Sequence, residues 1–173
     1  VERLAGCHEG DGQIANGGDL LPLIPKAIQV KNLQTGIVYT TIQDAINDNA
    51  TQDGDTIIVG PGTYEESITT WKSVIIESTS GPEETIIRSP QADKYAITFS
   101  EDQSKIWGFT ITGSTAQDTA GVRVLGDYCS VIDSTVTGNY HGIIVEENLW
   151  SHVNIENSTI FGSTRSSLSS SGV

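Results

Sequence analysis

The sequence of 173 residues holds no methionine and only 9 lysines and arginines, against 22 aspartates and glutamates. So little positive charge excludes a nucleic-acid partner, because phosphate binding needs a basic surface. It argues equally against docking on an anionic membrane. No run of about 18 apolar residues is present, which excludes a membrane-spanning helix. Aromatic residues are sparse, at 6% of the chain. The chain begins at Val1 without a signal peptide, as a processed or trimmed chain would. A removed export signal is compatible with that start.

Cysteine is also scarce. The separation of Cys7 and Cys129 fits no local zinc or redox motif. A disulfide in an exported protein and two buried thiols both remain open. The expectation is that Cys7 pairs with Cys129 and ties the N-terminal arm to the coil stack, with a bridge between two chains as the runner-up. Asn49-Ala50-Thr51 and Asn157-Ser158-Thr159 are N-glycosylation sequons, which lean toward an exported protein. A net charge of −13 suits solubility and cation binding.

What is present is a texture of short strands and turns. Charged residues make up 18% of the chain and hydrophobic ones 36%, enough for one domain with a sizeable core. Val, Ile and Thr recur in short runs separated by Gly, Asn, Ser and Asp. Residues 1–30 lack periodicity. Leu20, Leu21, Leu23 and Ile24 form an apolar patch broken by Pro22 and Pro25, which reads as an extended arm.

Residues 41–50 read as one helix, with Thr41 as N-cap, Asp44 three positions on, and Ile42, Ala45 and Ile46 on one stripe. From Thr56 onward everything reads as strands.

A repeat decides the fold class. The stretch Phe109-Thr110-Ile111-Thr112-Gly113-Ser114 returns as Ser134-Thr135-Val136-Thr137-Gly138-Asn139, then as Ser158-Thr159-Ile160-Phe161-Gly162-Ser163. Its glycines lie 25 and 24 residues apart. A second column of strands precedes each copy, at 97–99, 122–124 and 143–145. One coil of this length cannot bury its own apolar residues, but stacked coils can. The spacing therefore predicts an all-β solenoid, a right-handed parallel β-helix, with a short capping helix. The expected organisation is an N-terminal arm over 1–37, the β-helix over 38–163 with its helix at 41–50, and a flexible serine-rich tail over 164–173.

Acidic residues follow the strands. Glu77, Glu101, Asp102, Asp127, Glu146 and Glu147 each come just after an apolar strand. In-register coils would stack these carboxylates at about 4.8 Å. Like charges so close repel unless a cation lies between them, and calcium prefers such oxygens. The expected metal ligands are Glu101, Asp102, Asp127, Glu146 and Glu147; no other cofactor is expected. The bland reading is that the side chains splay into solvent. His8, His141 and His152 show no ligand spacing. Trp71, Trp107 and Trp150 do not fall in one column, so a sugar-stacking platform is the less favoured reading beside coil-face packing.

The segment Tyr39-Thr40-Thr41-Ile42-Gln43-Asp44-Ala45-Ile46, followed by Gly54-Asp55-Thr56-Ile57-Ile58-Val59-Gly60-Pro61-Gly62-Thr63-Tyr64-Glu65-Glu66, resembles the N-terminal cap and first coil of pectin-lyase-like β-helix proteins. The run at 137–143 resembles the NosD-type carbohydrate-binding and sugar-hydrolase repeats found in surface and sheath-like proteins of methanogenic archaea. The resemblance covers about residues 38–163 and implies a fold more than a function. It implies that the helix plugs one end of the stack.

The signatures of pectin methylesterases and pectate lyases are not found. Asp133 lacks a companion motif, and neither Arg88 nor Arg123 is placed beside an acid cluster. No catalytic residue is expected. The expectation is an extracellular cell-surface structural protein, surface-layer or sheath-like, that self-assembles head to tail as a homo-oligomer or filament. The rival is a carbohydrate-binding or polysaccharide-cleaving module with a polysaccharide partner.

Overall fold

A computed structural model describes residues 30–146 and 152–162, and the backbone of 169–170. Cys7, Glu147 and Trp150 lie outside the described residues, as do most of the arm and tail.

The chain enters on β1 (Val30–Asn32) and β2 (Val38–Tyr39), then forms α1 (Ile42–Asn47). The helix starts where Thr41 Oγ accepts from the Asp44 N–H at 3.0 Å. Its apolar stripe, Ile42, Ala45 and Ile46, is fully buried. It stops at Asn47, earlier than the expected span. The reason is local: Thr51 Oγ donates to the Ala45 carbonyl at 2.7 Å, taking the acceptor that another turn would have used.

Five coils follow. The first holds β3 (Thr56–Val59), β4 (Gly62–Glu65) and β5 (Ile68–Thr70). The second holds β6 (Ile75–Ser78), β7 (Thr85–Arg88) and β8 (Ile97–Phe99). The third holds β9 (Lys105–Trp107), β10 (Thr110–Thr112) and β11 (Ala120–Val124). The fourth holds β12 (Cys129–Ile132), β13 (Thr135–Thr137) and β14 (His141–Val145). The last holds β15 (Val153–Glu156), β16 (Thr159–Phe161) and β17 (Ser169–Ser170).

Each strand of these coils pairs in parallel with its counterpart one turn away, giving three sheets that wrap one core. Sheet A runs β15-β12-β9-β6-β3-β1-β2, sheet B β16-β13-β10-β7-β4, and sheet C β17-β14-β11-β8-β5. The fold is thus the expected parallel β-solenoid.

Register explains the core. In sheet A, Ile57, Ile76, Ile106 and Val131 stand in line. In sheet B, Tyr64, Ile87, Ile111 and Val136 do so, and in sheet C Ile68, Ile97, Val122 and Ile143. All are buried. Taking each from water is worth roughly 1.5–3 kcal/mol, which stacked neighbours supply and a lone coil cannot.

The corners repeat as strictly as the strands. Between sheets A and B, Gly108, Asp133 and Asn157 take positive φ at 81°, 47° and 48°. Between sheets C and A, Gln103 and Tyr128 do so at 59° and 55°. Between sheets B and C the residues are Gly113, Gly138 and Gly162. Gly113 needs both its left-handed backbone and its missing Cβ, which would sit 3.0 Å from the Ser89 carbonyl oxygen.

The boundary of the arm differs from the expectation. β1 pairs antiparallel with β3, and β2 with β1, so residues from 30 on belong to sheet A. Of their apolar residues only Val30 is buried and Tyr39 packs against the core, while Leu33, Ile37 and Val38 are exposed, so no inward pattern marks them as strands.

Candidate functional site

The outer face of sheet A carries two registered rows. One is Thr56, Ile75, Lys105, Ser130 and Asn154; the other is Ile58, Glu77, Trp107, Ile132 and Glu156. They alternate with the inward-facing residues of the same strands, as the two-residue period requires, and Ser130 alone among them is buried.

A cleft of about 540 Å³ opens at the edge of this face, lined by Gln103, Lys105, Tyr128, Ser130, His152 and Asn154. A second depression of about 450 Å³ shares Gln103 and Lys105 and adds Asp53, Ser73 and Ile75. The two form one continuous surface along successive coils. One wall is the Tyr128 ring, stacked on the His152 ring at 4.8 Å with the two ring planes nearly parallel. Tyr128 is 58% exposed and holds a left-handed backbone, unusual for a bulky residue. The cleft offers an amine, two carboxamides, a hydroxyl and an aromatic face.

Trp107 lies in the neighbouring row, 43% exposed, its indole donating to Asp133 Oδ2 at 2.6 Å. Trp71 follows β5 and donates to Asn47 Oδ1 at 3.0 Å. The two stand beside different sheets and share no platform.

The acidic residues separate into three places. Asp102 Oδ1 accepts from the Asp127 N–H and Asp127 Oδ1 from the His152 N–H, each at 2.7 Å. These carboxylates cap the backbone of the next coil at one corner, a use the sequence did not suggest. Glu101 is exposed at the same corner. Glu146 lies on the outer side of sheet C, gripped by Arg123 through two bonds of 2.7 Å. The Arg123 guanidinium holds the Glu146 carboxyl below the usual range and also lies 5.0 Å above the Tyr95 ring. Glu77, read with the same ladder, belongs to sheet A instead. Among the described residues no three acidic, His or Cys side chains gather as a metal site.

Cys129 is fully buried and bridged to no other cysteine among the described residues, its thiol pushed up to about 11 by burial. Asn49 and Asn157 are both exposed, but their sequons differ, as argued below. Arg88 faces Glu65 at 3.1 Å. His141 is buried on β14, edge-on to Tyr140, and its Nδ1 has no hydrogen-bond partner among the described residues.

Sequence reasoning missed Glu66. Its two oxygens accept from the Ile42 and Gln43 N–H groups at 3.0 and 2.9 Å, capping α1 from the first coil. Burial pushes its carboxyl up, while these two bonds hold it down. It also missed the sheet A strands β9, β12 and β15, whose outward residues are mostly polar.

No family model matches the chain. Over 90 residues, 52% of its length, it is 42% identical to a cell surface glycoprotein of Methanothermus fervidus, of which that stretch covers 15%. With that relative, the chain is a cell-surface or extracellular protein. Its backbone superposes on a pectin methylesterase mutant in complex with a hexasaccharide, with TM-score 0.50 and 16% identity, over 74% of this chain and 46% of that one. A second pectin methylesterase–hexasaccharide complex gives TM-score 0.52 and 15% identity, over 80% and 56%. At such identities the likeness is one of fold: the pectin-lyase-like β-helix.

Proposed function

We propose that the chain is a structural β-solenoid module of a cell-surface layer, of the NosD-type, sheath-like kind, that stacks coil on coil with a second copy of itself. The observation that carries this reading is the last described coil. Val153, Ile155 and Ile160 pack against the core but are only half-buried, whereas Val131 and Val136, one coil earlier, are fully buried. A partly open apolar interior is costly in water and favours a covering coil.

A second copy fits that role by strand direction. β2 is antiparallel to β1, which is antiparallel to β3, so β2 runs the same way as β15. An incoming β2 would extend sheet A in parallel, bringing the exposed Leu33 and Val38 with it. Such a contact is heterologous and repeats into filaments. A bridge from Cys7 to Cys129 would reinforce the stack, and free-thiol titration in denaturant tests it.

Light scattering and electron microscopy at rising protein and salt concentration test the assembly. A charge of −13 repels copies, so screening should favour growth. The Ile155→Asp chain should stay monomeric with an unchanged circular dichroism spectrum. A parent chain that is strictly monomeric in high salt overturns the reading.

The cleft on sheet A favours a second reading, polysaccharide binding, with Tyr128 as the stacking face and Lys105, Gln103 and Asn154 as polar contacts. Retardation on immobilised polysaccharides that is lost in Tyr128→Ala would support it. Equal mobility of parent and variant on every polysaccharide would reject it.

A further inference from the structure

The two sequons are equivalent in sequence and opposite in structure. In Asn49-Ala50-Thr51 the asparagine is exposed, but Thr51 has no exposed surface. Its hydroxyl donates to the Ala45 carbonyl at 2.7 Å and accepts from Asn32 Nδ2 at 2.9 Å. Those bonds close the C-terminus of α1 and join it to β1. Presenting this sequon to an enzyme would require undoing the helical plug.

Asn157-Ser158-Thr159 has none of these restraints. Asn157 stands at the corner between sheets A and B, in the column of Gly108 and Asp133. Gly108 has no side chain, and the Asp133 carboxylate is taken by the Trp107 indole. Asn157 is exposed, and its carboxamide makes no hydrogen bond among the described residues. Its left-handed backbone, φ 48°, is one that asparagine tolerates, and it turns the side chain out of the coil. Thr159 is exposed on the extended strand β16, whose only strand partner among the described residues is β13. Ser158 anchors the sequon from behind, its Oγ accepting from the Ser134 N–H at 3.1 Å. Acceptor amide, extended backbone and third-residue hydroxyl are thus all reachable in the folded protein.

We infer that Asn157 is an N-glycan acceptor and that Asn49 is not. The glycan donor is a lipid-phosphate-linked sugar, used by a membrane-bound glycosyltransferase acting on exported proteins. Asn157 Nδ2 bonds to the anomeric carbon, the bond from that carbon to the phosphate oxygen breaks, and the lipid phosphate leaves with the electron pair. One amide proton is released. The sugar then projects from the rim of the last described coil.

The test is to export the full chain from a cell that glycosylates Asn-X-Ser/Thr proteins, beside a control glycoprotein, and to map its peptides by mass spectrometry. The Asn157 peptide should carry the host glycan mass and the Asn49 peptide its bare mass. Asn157→Gln and Thr159→Ala should each remove the whole increment, with far-ultraviolet circular dichroism like the parent's; Asn49→Gln should leave it unchanged. A bare Asn157 peptide from a folded chain, alongside a glycosylated control, overturns the inference. So does a glycan on Asn49.

Discussion

The Gln43 side chain bonds to both backbone groups of Thr69: its Nε2 donates to the Thr69 carbonyl at 3.1 Å and its Oε1 accepts from the Thr69 N–H at 2.7 Å. One carboxamide on α1 thus imitates a neighbouring strand and closes the first edge of sheet C. An open strand edge invites pairing with other chains, and this contact removes it. Gln43→Ala should cost about 1–2 kcal/mol, two part-buried bonds' worth. Urea unfolding measures the loss, and hydrogen exchange at the Thr69 amide should accelerate well beyond that of Thr98. Unchanged exchange at Thr69 would refute the edge-closing role.

Glu66 gives a pH signature. Burial raises its carboxyl above the ordinary glutamate range in the folded state. A raised carboxyl contributes stability that is present at pH below its unfolded value and lost as pH rises through its folded value. Replacement by glutamine removes that dependence. Glu66→Gln should therefore compare worse with the parent at pH 4 than at pH 7, in thermal unfolding at matched ionic strength. The opposite trend would mean that the two helix N–H groups outweigh burial.

Asn139 ties two coils at the corner between sheets B and C. Its Nδ2 donates to the carbonyls of Ile111 and Thr137 and its Oδ1 accepts from the Ser114 N–H, at 3.0–3.1 Å. The residue is buried, so Asn139→Ala strands backbone groups and should cost about 2–3 kcal/mol. Asn139→Asp should cost at least as much, because a carboxylate cannot donate and its charge is buried. A substitution within 0.5 kcal/mol of the parent, on the scale of a typical surface change, would show that the corner is not held by this side chain.

Asp127 separates two uses of the acidic corner. As a cap on the His152 N–H, it should cost about 1 kcal/mol when changed to alanine, equally in chelator and in millimolar calcium. As a calcium ligand with Glu101 and Asp102, it should make the melting temperature rise with calcium. The capping geometry favours the first outcome. A calcium-dependent rise that Asp127→Asn abolishes would restore the cation ladder.

The legible parts of this protein are those written at a fixed spacing. The Thr110–Thr112 stretch and its returns announce sheet B because Ile111, Val136 and Ile160 are apolar in every turn. Lys105, Ile106 and Trp107 do not announce sheet A, since one inward isoleucine between polar neighbours looks like any loop. The acidic residues were legible as a recurrence but not as positions. Glu146 and Asp127 both follow sheet C strands, yet one turns to Arg123 and the other caps the next coil.

The sequence by itself determined the length of the later coils, the stacking of the apolar columns and the helix before them, because each depends on periods of two, 3.6 or about 25 residues. Only the tertiary structure decided which polar groups meet. Gln43 and Thr69 are 26 residues apart, and Thr51 and Asn32 are 19 apart. Such pairs carry no period. They exist because winding the coils brings distant side chains within about 3 Å, where one hydrogen bond separates a presented sequon from a buried one.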